Sequence, residues 1–182
     1  MANCKLNRHI LRTTSCGYSL PEVKDIWLAN YADVYTDITV TASTVPSGCT
    51  GEEVNIATSS LTAFYHIEPA KNSTTFTDEL VVEDSGNKYR THTLTFSING
   101  KYDPCLHMDF DDLSLGRYIA VVATADGNYL MLGRLTGLEA ETATLSGGGD
   151  TNGLQITLSA NIAESVLPLN EVSANGLPKG TE

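Results

Sequence analysis

Near the end of the chain, Leu145–Ala160 reads LSGGGDTNGLQITLSA: three glycines, an aspartate and an Asn-Gly pair run into an alternating apolar pattern. Such a segment could cradle a phosphate, hold a calcium ion or turn a hairpin. A Walker-type phosphate loop needs Gly-Lys-Ser/Thr opening a helix, so that the lysine and backbone amides share the phosphate charge. Here Gly147, Gly148 and Gly149 lead to Asp150 and then to a strand pattern, with no lysine. A dinucleotide fingerprint also needs a helix after its glycine turn. Asp150 and Asn152 offer oxygen ligands to calcium, but glycine-aspartate calcium loops work as stacked repeats, and this segment stands alone. The pattern predicts a hairpin connection, with glycines at positive φ and Asx side chains bonding the local backbone.

Other chemistry-bearing residues are scattered. Cys4, Cys16, Cys49 and Cys105 lack the close pairing of zinc ligands. Cys105-Leu106-His107 comes nearest and has no second pair. Without a secretory leader, buried free thiols are expected rather than disulfides. His66 and His92 lie in strand patterns, where histidine is usually a surface or satisfied core residue; His9 and His107 complete the set. No Gly-x-Ser-x-Gly elbow occurs. Asp109, Asp111 and Asp112 resemble a metal cluster but fall on the solvent side of a helix whose apolar face is Leu106, Phe110 and Leu113. The sequon at Asn72 means little in an unsecreted chain. No nucleophile, base, metal or cofactor is assigned, and no enzymatic activity is expected.

The elements that hold these residues are strands. Threonine, serine, valine, tyrosine and glycine recur in short alternating runs between turn residues, the pattern of an antiparallel β-protein. Strands are expected at Val23–Asn30, Asp37–Ala42, Glu53–Thr58, Leu61–Glu68, Thr74–Val82 and Lys88–Ile98. In the last of these His92, Leu94, Phe96 and Ile98 face one way, and Thr91, Thr93, Thr95 and Ser97 the other. The period then changes: Asp103 suits an N-cap, Pro104 the first helical position and Gly116 the stop, which predicts one short amphipathic helix. Four more strands follow at Arg117–Ala125, Asn128–Leu138, Glu139–Ser146 and Gly153–Ala160, with a tight turn at Asp126-Gly127. The fold class is mainly β, an antiparallel sandwich or barrel of about nine strands and one short helix. Residues 1–19 are expected as an N-terminal arm, 20–167 as one β domain and 168–182 as an extended or disordered C-terminal arm.

The 182 residues carry 22 acids against 11 Lys plus Arg, a formal charge of −11. Phosphate-gripping proteins need a basic stripe, which this chain lacks. The longest apolar-leaning run, Tyr118–Ala125, is far below the roughly 18 residues of a membrane span. The N-terminus has no apolar stretch of signal-peptide length, so retention in the producing cytoplasm is expected.

Three stretches carry a family likeness. LPEVKDIWLANYADV (Leu20–Val34) resembles the opening strand of phage tail-tube, or major tail, proteins from phages of Bacteroidetes-type hosts. FYHIEPAKNSTTFTDELVVEDSGNKYRTHTLTFSI (Phe64–Ile98) is similar to their aromatic strand, polar turn and long threonine-rich strand. DGNYLMLGRLTGLEAETATLSGGGDTNGLQITLSAN (Asp126–Asn161) is similar to their closing hairpin and last strand. The resemblance implies a tail-tube β-sandwich flanked by one helix, in a virion tail assembled in the host cytoplasm. It implies hexameric rings that pool strands into an inner barrel and stack into a tube, with the tape measure and tail terminator proteins as further partners. DNA would pass through the lumen without specific binding, and no membrane is involved. The loop holding Ser43, Pro46, Gly48, Gly51 and Glu52 would reach the next ring. Glu79, Glu83, Asp84, Glu139 and Glu141 would be the candidate lumen acids. The alternative is a monomeric β-sandwich that binds carbohydrate or acts as an adhesin, using Tyr31, Tyr35, Tyr65, Tyr89, Tyr102, Tyr118 or Tyr129.

Overall fold

A computed structural model describes residues 22–44, 50–99, 104–147 and 153–179. The chain runs β1 (Val23–Asn30), a single turn α1 (Tyr31–Val34), a 3-10 turn (Tyr35–Asp37), β2 (Ile38–Thr44) and β3 (Thr50–Ile56). A second 3-10 helix (Thr58–Ala63) leads to β4 (Tyr65–Ile67), β5 (Thr75–Val82) and β6 (Lys88–Asn99). After α2 (Pro104–Leu115) come β7 (Arg117–Thr124), β8 (Tyr129–Leu132), β9 (Leu138–Ser146), β10 (Gly153–Ile162), β11 (Leu167–Pro168) and α3 (Glu171–Gly176).

Nine strands join one antiparallel sheet in the order β11-β8-β7-β9-β10-β6-β5, with β1 on the other edge of β7 and β4 beyond it. The bend comes at β7. One edge of that strand pairs with β9 only at Arg117 and Tyr118, and from Ala120 onward with β8. The sheet therefore folds into a half of β4, β1, β7, β8 and β11 and a half of β9, β10, β6 and β5, and the two share a core. Leu94, Phe96, Leu154, Ile156 and Leu158 meet Ile26, Leu28, Ala120, Val122 and Leu132 there, and α2 adds Phe110. The mainly β, antiparallel class expected from the alternation is what the chain adopts.

A second core lies behind the first half-sheet. Trp27, Ala29, Ile119, Val121 and Met131 point away from the first core and pack on Val34, Ile38, Val54, Ile56, Leu61, Phe64, Leu169 and Leu177. Strands β1 and β7 are thus covered on both faces, which explains why Ile119–Ala123 is an unbroken apolar run rather than an alternation.

Three stretches differ from the sequence expectation. Leu61–Glu68 is not one strand. Leu61 and Phe64, three apart, both turn into the second core, which a 3-10 turn allows and a strand does not. The strand expected to Leu138 stops at Leu132, because Gly133 (φ 77°) and Gly137 (φ 75°) close a turn through Gly137 N–H to the Gly133 carbonyl at 2.7 Å. The C-terminal segment is not an arm: Leu169 and Leu177 are buried, α3 is capped by the Asn170 side chain at Ser173 N, and Trp27 Nε1 donates to the Pro178 carbonyl at 2.6 Å. Its apolar residues complete the second core.

Candidate functional site

The half-sheet β5-β6-β10-β9 exposes the face opposite the first core, and register defines its surface. Thr75, Thr95, Thr157 and Thr142 stand in one row across four strands; Thr77, Thr93, Ser159 and Glu139 form the next. Thr95 and Thr157 hydroxyls are hydrogen-bonded at 3.0 Å, and Thr91 Oγ1 donates to Asn161 Oδ1 at 2.9 Å. The alternation of β6 holds as expected, with His92, Leu94 and Phe96 buried and the threonines between them only partly covered. The result is a hydroxyl-lined face over which no other described element forms a layer.

Among the described residues, both long margins of this half-sheet are open. Of the described strands, β5 pairs with β6 alone, and it exposes Leu80 (53%) and Val82 (56%). Beyond Glu139, β9 pairs among the described strands only with β10, and its Leu145 is 54% exposed. Unpaired strand edges present free N–H and C=O groups and invite another strand.

The second feature is a ribbon apart from the main sheet. Strands β2 and β3 pair from Ile38–Ile56 to Thr44–Thr50, a reach of roughly 20 Å at about 3.3 Å per residue. Its base is buried through Ile38, Val54 and Ile56, whereas Thr41, Ala42, Gly51 and Glu52 are exposed. Ser43 Oγ donates to Glu53 Oε1 across the ribbon. Of the candidate loop residues, Ser43, Gly51 and Glu52 belong to the ribbon strands; Pro46 and Gly48 lie outside the described residues. The C-terminal segment clamps the base: Asn170 N donates to the Val54 carbonyl at 2.9 Å and Ile56 N to Ser173 Oγ at 2.9 Å.

The five candidate lumen acids do not gather. Glu79, opposite Thr91, and Glu139 belong to the hydroxyl face, and Glu139 is paired with Arg117 Nη2 at 2.7 Å. Glu141 sits at the register shift between β9 and β10. Glu83 and Asp84 lie in the β5–β6 turn, where Gly86 N donates to the Glu83 carbonyl. The face is hydroxyl-rich and weakly acidic rather than a field of carboxylates.

Sequence reasoning missed one charged cluster on the inner side. Arg90 Nε donates to Asp78 Oδ1 at 2.5 Å, Val166 N donates to Asp78 Oδ2 at 3.0 Å, and Arg134 holds Glu164 through both carboxylate oxygens. His92, 1% exposed, accepts from Gly133 N at Nδ1, which leaves the ring proton on Nε2. That nitrogen is 3.5 Å from Asp78 Oδ1 and has no hydrogen-bond partner. Burial lowers the His92 pKa from its ordinary 6.5 against the pull of Asp78 and Glu164. Burial alone would raise Asp78, but the hydrogen bonds from Arg90 and Val166 and the charges of His92 and Arg90 outweigh it and hold the carboxyl below 3.8. The partners come from four separate stretches, so no local spacing announces them. With His92 buried and the charged side chains around it partly exposed, the cluster fastens β5, β6 and the segment after β10.

Asp109, Asp111 and Asp112 are exposed on α2. No three His, Cys, Asp or Glu side chains converge on a metal position among the described residues. The glycine segment connects β9 to β10, whose pairing begins at Ser146–Gly153; Gly148, Gly149, Asp150 and Asn152 lie outside the described residues, as do Cys4, Cys16, Cys49, His9 and Tyr102 and the side chains of Cys105 and His107. Asn72 takes φ 58° in the turn before β5. His66 bonds Asp25 Oδ1 at 2.9 Å across β4 and β1 and packs on Trp27. Of the tyrosines, Tyr118 is buried, and Tyr31 is stacked on Tyr35 at 5.1 Å with Arg117 over its ring. No described helix is long and apolar enough to cross a membrane. Set against protein-family models, curated proteins and solved structures, the chain matches none.

Proposed function

We propose that this protein is a self-assembling virion subunit of the tail-tube kind, forming stacked rings around a conduit for DNA. The observation that carries the reading is the β5-β6-β10-β9 half-sheet, an uncovered hydroxyl face between two open strand edges. Edge pairing between neighbouring copies satisfies the free backbone groups, and closure into a ring removes the edges. The hydroxyl face then lines the bore. Arg117, at the end of the Glu139 row, is neutralised by that glutamate, so a passing phosphate backbone meets little there to grip it. The β2–β3 ribbon, outside the main sheet and exposed toward its tip, suits contact with the next ring.

The test is electron microscopy of the purified protein across a concentration series, with light scattering for mass. Rings or hollow tubes are expected. Leu80→Lys with Val82→Lys, both on the β5 edge, should abolish them while leaving the monomer folded by circular dichroism. A wild-type protein that stays monomeric at millimolar concentration and binds glycans would instead establish the carbohydrate-binding alternative.

A further inference from the structure

A groove of about 760 Å³ opens on the side of the molecule where the first residue of the body, the β7–β8 turn and the C-terminal helix meet. Its floor is apolar, built from Val23, Phe76, Tyr129, Leu130 and Leu169. Its rim is acidic: Glu22, Glu53, Asp126 and Glu171 line it, and among the described residues no Lys or Arg does. Thr74, also in the lining, buries a hydroxyl that has no hydrogen-bond partner. A ligand for this groove must therefore bring apolar groups for the floor, cations for the rim and a polar atom for Thr74.

The chain carries such a segment. Residues 1–21 contain Lys5, Arg8 and Arg12 and no Asp or Glu, interleaved with Leu6, Ile10, Leu11, Tyr18 and Leu20. The rest of the chain holds eight Lys plus Arg against all twenty-two acids, and Arg90, Arg117 and Arg134 are already ion-paired. Residues 1–21 thus carry three cations and no acid; residues 85–102, with Lys88, Arg90 and Lys101, have the same excess, but Lys88–Asn99 is strand β6 of the sheet and Arg90 is held by Asp78. Residues 1–21 also join the body at the groove itself: Glu22 is a rim residue, and its carbonyl is fixed by Ala125 N at 2.8 Å. At about 3.3 Å per extended residue, the segment is long enough to reach every part of the groove from that point.

We propose that residues 1–21 dock into the groove of their own chain, apolar side chains on the floor and Lys5, Arg8 and Arg12 against the acidic rim. The segment is then a ligand of the body, held by charge and released by salt, independent of whether copies assemble through the β5 and β9 edges.

Zero-length carbodiimide cross-linking of the intact protein tests this, with a mixture of ¹⁴N- and ¹⁵N-labelled chains read by peptide mass spectrometry. The expected result is Lys5 joined to Asp126 or Glu171 within single-isotope pairs, at a yield that falls as salt rises. Asp126→Lys with Glu171→Lys, both exposed and outside the cores, should lower the remaining Lys5 links to Glu22 and Glu53 by about fivefold, the scale of losing exposed ion pairs. Mixed-isotope pairs at the groove would overturn docking within the chain in favour of a second copy. Lys5 links spread evenly over remote acids such as Glu83, Asp84 and Asp109 would overturn the groove altogether.

Discussion

Ser173 offers a sharp measure of how the C-terminal segment holds the ribbon. It is fully buried, its Oγ accepts from Ile56 N at 2.9 Å, and the Asn55 Oδ1 and Ile56 carbonyl oxygens lie 3.4 and 3.5 Å away. Ser173→Ala removes the acceptor and nothing else of size, so the Ile56 N–H at the base of β3 stays buried without a partner. An orphaned buried donor costs about 1–3 kcal/mol, more than the bond itself contributes, because water is not regained. Taking about 2 kcal/mol, and about 2–4 °C per kcal/mol for a chain of this size, Tm should fall by about 4–8 °C. Asn175→Ala, on the exposed side of the same helix, is the control and should stay within about 0.5 kcal/mol. Calorimetry gives Tm, and native-state hydrogen exchange should show faster exchange at the Ile56 amide with little change at Leu94 in the first core. Equal Tm for the two variants, with Ile56 protection intact, would refute the clamp.

Three further outcomes follow from the cores and the buried cluster. Trp27→Ala empties the centre of the second core and loses the bond to Pro178, and should cost about 3–5 kcal/mol by urea unfolding. Gly133→Ala forces a side chain onto φ 77° with its Cβ 2.7 Å from Leu138 Cγ, so a loss above about 2 kcal/mol is expected by the same assay. Acidification should destabilise in two stages. The folded state resists protonating His92, whose pKa is lowered, so the unfolded chain binds more protons and stability falls as pH drops below the ordinary 6.5. Asp78, also lowered, adds its loss below 3.8. Tm measured against pH should show the first stage disappear in His92→Gln.

Much of the fold was legible because β-strands declare themselves by alternation or by unbroken apolar runs. The first strand, Val23–Asn30, has the bounds expected of it, and the facing of β6 follows from Thr91 through Ile98. Elements that owe their form to distant partners were less readable. The helix after Asn170 did have a local signal, an Asx cap followed by Glu171 and ended by Gly176, but two prolines and a weak period masked it. The stop of β8 was signalled by Gly133 and Gly137. The Asp78–Arg90–His92 cluster had no local signal, since its geometry exists only once β5 and β6 are in register.

The acid count illustrates the limit of composition more plainly. An excess of acids suggests a negative bore, yet strand parity and register give the four-stranded face mainly threonine and serine, with Glu79 and an Arg117-paired Glu139 at its margin. Other carboxylates are placed on turns (Glu83, Asp84), on α2 (Asp109, Asp111, Asp112), around the groove at Glu22, on the ribbon (Glu52) and in strand ion pairs such as Asp78 with Arg90. A hydroxyl surface this weakly acidic, in a ring, would let DNA slide for lack of attraction, not through strong repulsion, and the two cases differ in salt dependence. Repulsion from a carboxylate-lined bore is screened over about 10 Å at 0.1 M salt, so transit through it should quicken as salt rises. Transit past hydroxyls should be nearly indifferent to salt, and adding charge on the face by Thr93→Lys with Thr157→Lys should introduce a marked salt dependence where there was little.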